Sequence, residues 1–133
     1  MQALSRIVVV GLALALVVGI GASKGFAQDP PKVIQVLTFD VKGDLAGFLT
    51  FAKRANDIRA KLKSRGEQRI WQAVLAGDNA NTVFVGVEYP SLVAFAEDTA
   101  KASADPGWQK FLEDFRKSGT EIVSNSLSVE QTP

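Results

Sequence analysis

The spacing of hydrophobic positions changes repeatedly along this chain, and each change predicts an element. Ile7 to Ala22 is one apolar run interrupted only by glycine. From Val33 to Val41 both faces of an extended segment carry apolar residues: Val33, Leu37, Phe39 and Val41, with Gln35, on one; Ile34 and Val36, with Thr38 and Asp40, on the other. Such a strand is expected at the centre of a sheet, covered on both sides. Gly43-Asp44 ends it, and the Asp44 carboxylate is placed to cap free N–H groups of a helix. Over Leu45 to about Ser64, a stripe of Leu45, Phe48, Leu49, Ala52, Ala55, Ile58 (or Arg59) and Leu62 recurs at helical spacing. Gly66 is the expected stop.

Gln68 to Ala76 predicts a second strand, and Thr82 to Tyr89 a third. The Gly77-Asp78-Asn79-Ala80-Asn81 turn between them is too short for anything but an antiparallel hairpin. Pro90-Ser91 switches the chain to helix, with Ser91 as N-cap and Leu92, Phe95, Ala96 and Thr99 facing inward. Asp105-Pro106 must break that helix, because proline lacks an N–H, and restart it with Asp105 as the new cap. Trp108, Phe111, Leu112 and Phe115 then form a second stripe, which Gly119 ends. From Glu121 to Glu130 a last strand alternates Ile122, Ser124, Ser126 and Ser128 with Val123, Asn125, Leu127 and Val129.

This order predicts an α+β, ferredoxin-like βαββαβ fold: an antiparallel four-stranded sheet with helices on one face, preceded by an N-terminal signal helix. Right-handed crossovers place the first and third strands in the centre. The second face of such a sheet is bare, and Phe84 with Phe39 (or Val36) would leave an apolar patch on it. A homodimer joined through the open sheet face, two sheets packed together, is the economical cover.

Composition then narrows the chemistry. Arg6, the apolar run and the small-residue exit Gly25-Phe26-Ala27 read as a signal peptide over residues 1–27, leaving 28–133 as the domain. The run is shorter than the roughly 20 residues of a spanning helix, so cleavage is expected, with no membrane contact afterwards and a periplasmic or secreted location. The chain carries +1 overall; without Arg6 and Lys24 it has 13 basic against 14 acidic side chains. That balance speaks against nucleic acid as a partner, because phosphate binding needs a basic surface. There is no Cys and no His, which excludes disulfides, thiolate nucleophiles, Ser-His-Asp triads and His-ligated haem or zinc. No metal and no cofactor is expected.

Four strand residues are candidates for a ligand pocket. Trp71 and Tyr89 would stack on and hydrogen-bond to a flat molecule. Glu88 would act as base or anchor with a pKa raised by apolar surroundings, and Asn125 as a hydrogen-bond partner. Trp108 reads as core in its stripe more readily than as a lid. The pairs Glu97-Asp98 and Glu113-Asp114 read as solvated surface, as does the basic run of the first helix.

The segment Val87-Glu88-Tyr89-Pro90-Ser91-Leu92, with Asp105-Pro106-Gly107-Trp108-Gln109 after it, resembles the second half of dimeric α/β-barrel proteins. Within them it is most similar to small NIPSNAP-like and related uncharacterised domains. The resemblance implies a ferredoxin-like fold over about Lys32 to Val129 and a homodimer closing a β-barrel. The superfamily includes haem-using branches, which a chain without His does not match. The expectation is an exported small domain that binds a small molecule or a partner. The alternative is a cofactor-independent monooxygenase or isomerase of the dimeric α/β-barrel type. The residues identify no reaction and no catalytic group.

Overall fold

A computed structural model describes residues 29–74, 77 and 80–133; the leader read over 1–27 lies outside the described residues, as do Leu75, Ala76, Asp78 and Asn79. The elements are β1 (Val33–Asp40), α1 (Leu45–Lys61), β2 (Glu67–Gln72), β3 (Thr82–Tyr89), α2 (Leu92–Ala104), α3 (Pro106–Arg116) and β4 (Glu121–Val129). They build one antiparallel sheet of order β2-β3-β1-β4, with the first and third strands central. This is the ferredoxin-like α+β architecture.

Local chemistry accounts for most boundaries. The Asp44 side chain accepts from Gly47 N at 2.9 Å and starts α1. Ser91 accepts from Ala94 N at 3.1 Å and starts α2. Asp105 serves twice: it closes α2, and its carboxylate accepts from Trp108 N at 2.7 Å to open α3 behind Pro106. The end of α1 differs from expectation. The helix stops at Lys61, and Lys63, at φ 54°, takes the left-handed turn assigned above to Gly66.

The core lies between the sheet and the helices. Phe39, Val83, Val85, Val87 and Tyr89 from the central strands meet Phe48, Ala52 and Ala94 from the helices. Phe39 sits 5.0 Å from Phe48 and 5.8 Å, edge-on, from Phe115, measured between ring centroids. Burying a side chain such as Phe48 is worth about 1.5–3 kcal/mol. Phe39 is therefore on the covered face. The open face instead presents Ile34 and Val36 of β1, Gly86 and Phe84 of β3, and Trp71 of β2, with the serines of β4 at one side. Trp71 and Phe84, paired across β2 and β3, are both exposed.

Two further expectations fail for physical reasons. A bulge between Thr38 and Phe39 pairs Ser124 with Thr38 but Ile122 with Phe39 and leaves Val123 without a partner in β1. The extra residue breaks the simple alternation, so Ile122 faces the helices with Asn125, Leu127 and Val129. In α2 the buried positions are Ala94 and Asp98, whereas Leu92 is 44% exposed. The helix is turned so that a carboxylate faces inward, and the reading of Glu97-Asp98 as solvated surface holds only for Glu97.

Candidate functional site

The helices do not fully cover their face of the sheet: all nine residues of β4 are exposed. Between sheet and helices lie two adjoining cavities of about 190 Å³ each, with Gln35, Arg59 and Trp108 in the walls of both. The first is the more polar, lined by Ser64, Tyr89, Asp98 and Lys101 together with Leu62 and Phe95. The second is walled by Phe39, Phe48, Phe51, Phe111 and Phe115. A polar vestibule thus opens on an aromatic chamber, and Arg59 stands at their junction.

Arg59 occupies the last turn of α1, and its guanidinium lies over the Tyr89 ring, 5.6 Å from the centroid. Its Nη2 donates to Tyr89 Oη at 3.1 Å and to Ser64 Oγ at 3.3 Å. The Ser64 hydroxyl also accepts from Gly66 N at 3.2 Å and donates to Asp98 Oδ2 at 2.9 Å. That oxygen takes a second, shorter bond of 2.7 Å from Arg65 N. The segment between α1 and β2 is thereby tied to α2. Gly66 is required here by space, since a Cβ on it would stand 2.7 Å from Tyr89 Cε1 and would run into the Arg59 guanidinium.

Electrostatics fix the protonation states. Burial pushes Asp98 up, but the Arg65 N–H, the Ser64 hydroxyl and the Arg65 and Lys101 charges outweigh it and hold the carboxyl below its usual value. Its Oδ1 is buried without a hydrogen-bond donor among the described residues, 3.7 Å from Arg65 Nη2. Tyr89 moves the other way: burial raises its pKa and the Asp98 charge adds to the rise, against the opposing pull of Arg59. It is a protonated phenol near neutral pH. Its oxygen accepts from Arg59, and its proton meets no acceptor among the described residues.

Of the four residues singled out by sequence, the fold brings two to this side. Tyr89 lines the vestibule. Asn125 stands opposite Leu37 in β4, and its Oδ1 accepts from Gln35 Nε2 at 3.0 Å, which orients a side chain common to both cavities. Trp71 and Glu88 project from the opposite face. The Trp71 ring lies across Gly86, where a Cβ would stand 2.7 Å from Trp71 Cζ3. Glu88 pairs with Lys32 at 2.9 Å, and the Lys32 hydrogen bond, helped by its charge, lowers the Glu88 pKa instead of raising it. Adjacent strand residues point to opposite faces, so Glu88 and Tyr89 cannot share a pocket. Trp108, read above as core, is half-buried, packs 5.0 Å from Phe111 and borders both cavities. Arg59, Ser64 and Asp98 were not among the candidates at all. Among the described residues no cluster of acidic side chains suited to a metal ion occurs.

No family model matches this chain, and no curated protein does. Solved structures do. A NIPSNAP family protein from Agrobacterium tumefaciens aligns with a TM-score of 0.60 at 16% identity, covering 80% of this chain and 90% of its own. A dimeric ferredoxin-like protein from an uncultured marine organism gives 0.55 at 17% identity, over 77% and 98%. SnoaB, a cofactor-independent oxygenase from Streptomyces nogalater, gives 0.54 at 17% identity, over 79% and 94%. At these identities the likeness establishes the fold, and the fold is the one the sequence resemblance implied.

Proposed function

We propose that this chain is an exported domain that binds a small molecule between its sheet and its helices and works as a homodimer in the periplasm or secreted. The observation that carries the reading is the polar vestibule opening on an aromatic chamber. Small-molecule sites are concave, mostly apolar and furnished with a few converging polar groups, at about 300–1,000 Å³, and the two cavities together reach the low end of that range. The bare sheet face, with Trp71 47% and Phe84 36% exposed, supports dimerisation through that face, and one fold relative is described as dimeric. The near-neutral domain gives no basic surface for nucleic acid. No helix among the described residues is long and apolar enough to cross a membrane.

A cofactor-independent monooxygenase or isomerase is the second reading. Arg59 and Tyr89 offer the donors that a developing oxyanion needs. The titratable carboxylate beside them, Asp98, is held ionised by two hydrogen bonds and two nearby positive charges, which outweigh its burial, and is correspondingly a poor proton acceptor. Binding without turnover is the better account.

Native mass spectrometry of the protein purified from its own exported fraction tests the reading. We expect a dimer with a bound small molecule. Leu112→Trp, which fills the chamber that Leu112 lines, should empty it, and Phe84→Lys should give a monomer by light scattering at micromolar concentration. A ligand retained by the Leu112→Trp variant would refute the cavity as the site, and a monomeric wild type would refute the sheet-to-sheet dimer.

A further inference from the structure

Resting on the cavity reading, we infer that the ligand is an aromatic monocarboxylate, its oxyanion seated on Arg59 and Tyr89 and its ring in the phenylalanine chamber. Three observations converge. First, Arg59 is a half-buried guanidinium with no carboxylate within ion-pair distance among the described residues, whereas Lys53 and Arg54 on the same helix pair with Asp57 and Asp114, both at 2.8 Å. Of its five N–H groups, those on Nη2 are engaged, whereas Nε and Nη1 meet no acceptor among the described residues. A partly desolvated cation with free donors favours an anionic acceptor. Second, the Asp98 carboxylate in the same vestibule makes no ion pair with Arg59: its Oδ2 is taken by Ser64 and Arg65 N, and its Oδ1 lies 3.7 Å from Arg65 Nη2. The Tyr89 hydroxyl, whose proton meets no acceptor among the described residues, adds a neutral donor in the vestibule wall. Third, Arg59 is in the wall of the aromatic chamber as well as the vestibule. A cavity of about 150 Å³ admits benzene, so a chamber of about 190 Å³ takes one ring and a short alkyl link to a head group at Arg59.

The test uses hydrocinnamate, a phenyl ring two methylenes from a carboxylate, and its neutral amide, titrated into the wild-type protein and followed by NMR. The carboxylate is expected to bind about ten- to a hundredfold more tightly than the amide, the usual worth of charge-assisted hydrogen bonds. Arg59→Gln should remove that preference, bringing carboxylate affinity down to that of the amide. Arg59→Lys, which keeps the charge, should retain part of it, and Lys53→Gln, outside both cavities and paired with Asp57, should change it little. Leu112→Trp should abolish binding of both probes. Equal affinity of the two probes for the wild type, or a preference unaltered in Arg59→Gln, would overturn the inference while leaving a cavity-bound ligand in place. Binding of neither probe would overturn the inference and count against the cavity reading too.

Discussion

Replacing Asp98 tests whether the site is held by a built hydrogen-bond network. Asp98 is 6% exposed, and its Oδ2 receives Ser64 Oγ at 2.9 Å and Arg65 N at 2.7 Å. Bonds to a charged partner are worth about 1.5–3 kcal/mol each. Asp98→Ala removes both and frees the α1–β2 segment, but it also relieves the burial of a charge whose Oδ1 has no hydrogen-bond donor. The net loss is expected at about 2–4 kcal/mol. Asp98→Asn keeps an acceptor in place while removing the charge, and should cost about 1 kcal/mol. Urea denaturation at fixed protein concentration measures both, since dimerisation would make the midpoint concentration-dependent.

The pH dependence supplies an independent check with a defined sign. The folded-state pKa of Asp98 lies below the ordinary 3.8. The ionised form is therefore favoured by folding, and the stabilisation is present above that ordinary value. It declines as pH falls through the depressed folded pKa. The stability gap between wild type and Asp98→Ala should be full at neutral pH and shrink only in strong acid. A loss of less than about 0.5 kcal/mol for Asp98→Ala, the range of ordinary surface substitutions, would show that this carboxylate is solvated and that the network does not hold the site.

Two other substitutions probe the same corner. Gly66→Ala places a methyl 2.7 Å from Tyr89 Cε1 and against the Arg59 guanidinium; it should cost about 1–3 kcal/mol by overpacking and weaken hydrocinnamate binding, read by denaturation and NMR titration. Lys63→Gly relieves a left-handed residue at φ 54°; after the extra chain entropy of glycine, a gain of up to about 1 kcal/mol in urea denaturation is expected.

Features set within a few residues were legible in the sequence. Asp44, Ser91 and Asp105 cap the helices because each is a short acceptor preceding a helical stripe, and Pro106 forces the break whatever surrounds it. The strand order followed from the crossovers. The bulge at Val123 left no such trace, because period-2 reading assumes an unbroken ladder and one unpaired residue reverses it for Ile122. The end of α1 was misplaced because glycine is the usual left-handed residue there, whereas Gly66 is needed to let the Tyr89 ring approach.

The candidate site was half legible, and the missing half has one cause. Tyr89 stands out as an aromatic at a strand end, and Asn125 as a polar residue on an apolar face. Arg59 sits in a basic helix where Lys53 and Arg54 do what such runs ordinarily do, pairing with acids, as Arg65 does just beyond its end. The sequence offered one sign of difference: the inward stripe of α1 could be drawn through Ile58 or Arg59, and the fold leaves both half-buried. Asp98 likewise looked like half of a solvated acidic pair. What sets both apart is a contact across 34 positions, between Ser64 and Asp98, and no local pattern encodes it. Since Ser64 joins the guanidinium to the carboxylate, and Asp98 fixes the Arg65 backbone beside it, Arg59 keeps its place without a carboxylate of its own. Its positive charge stays available to whatever enters the vestibule.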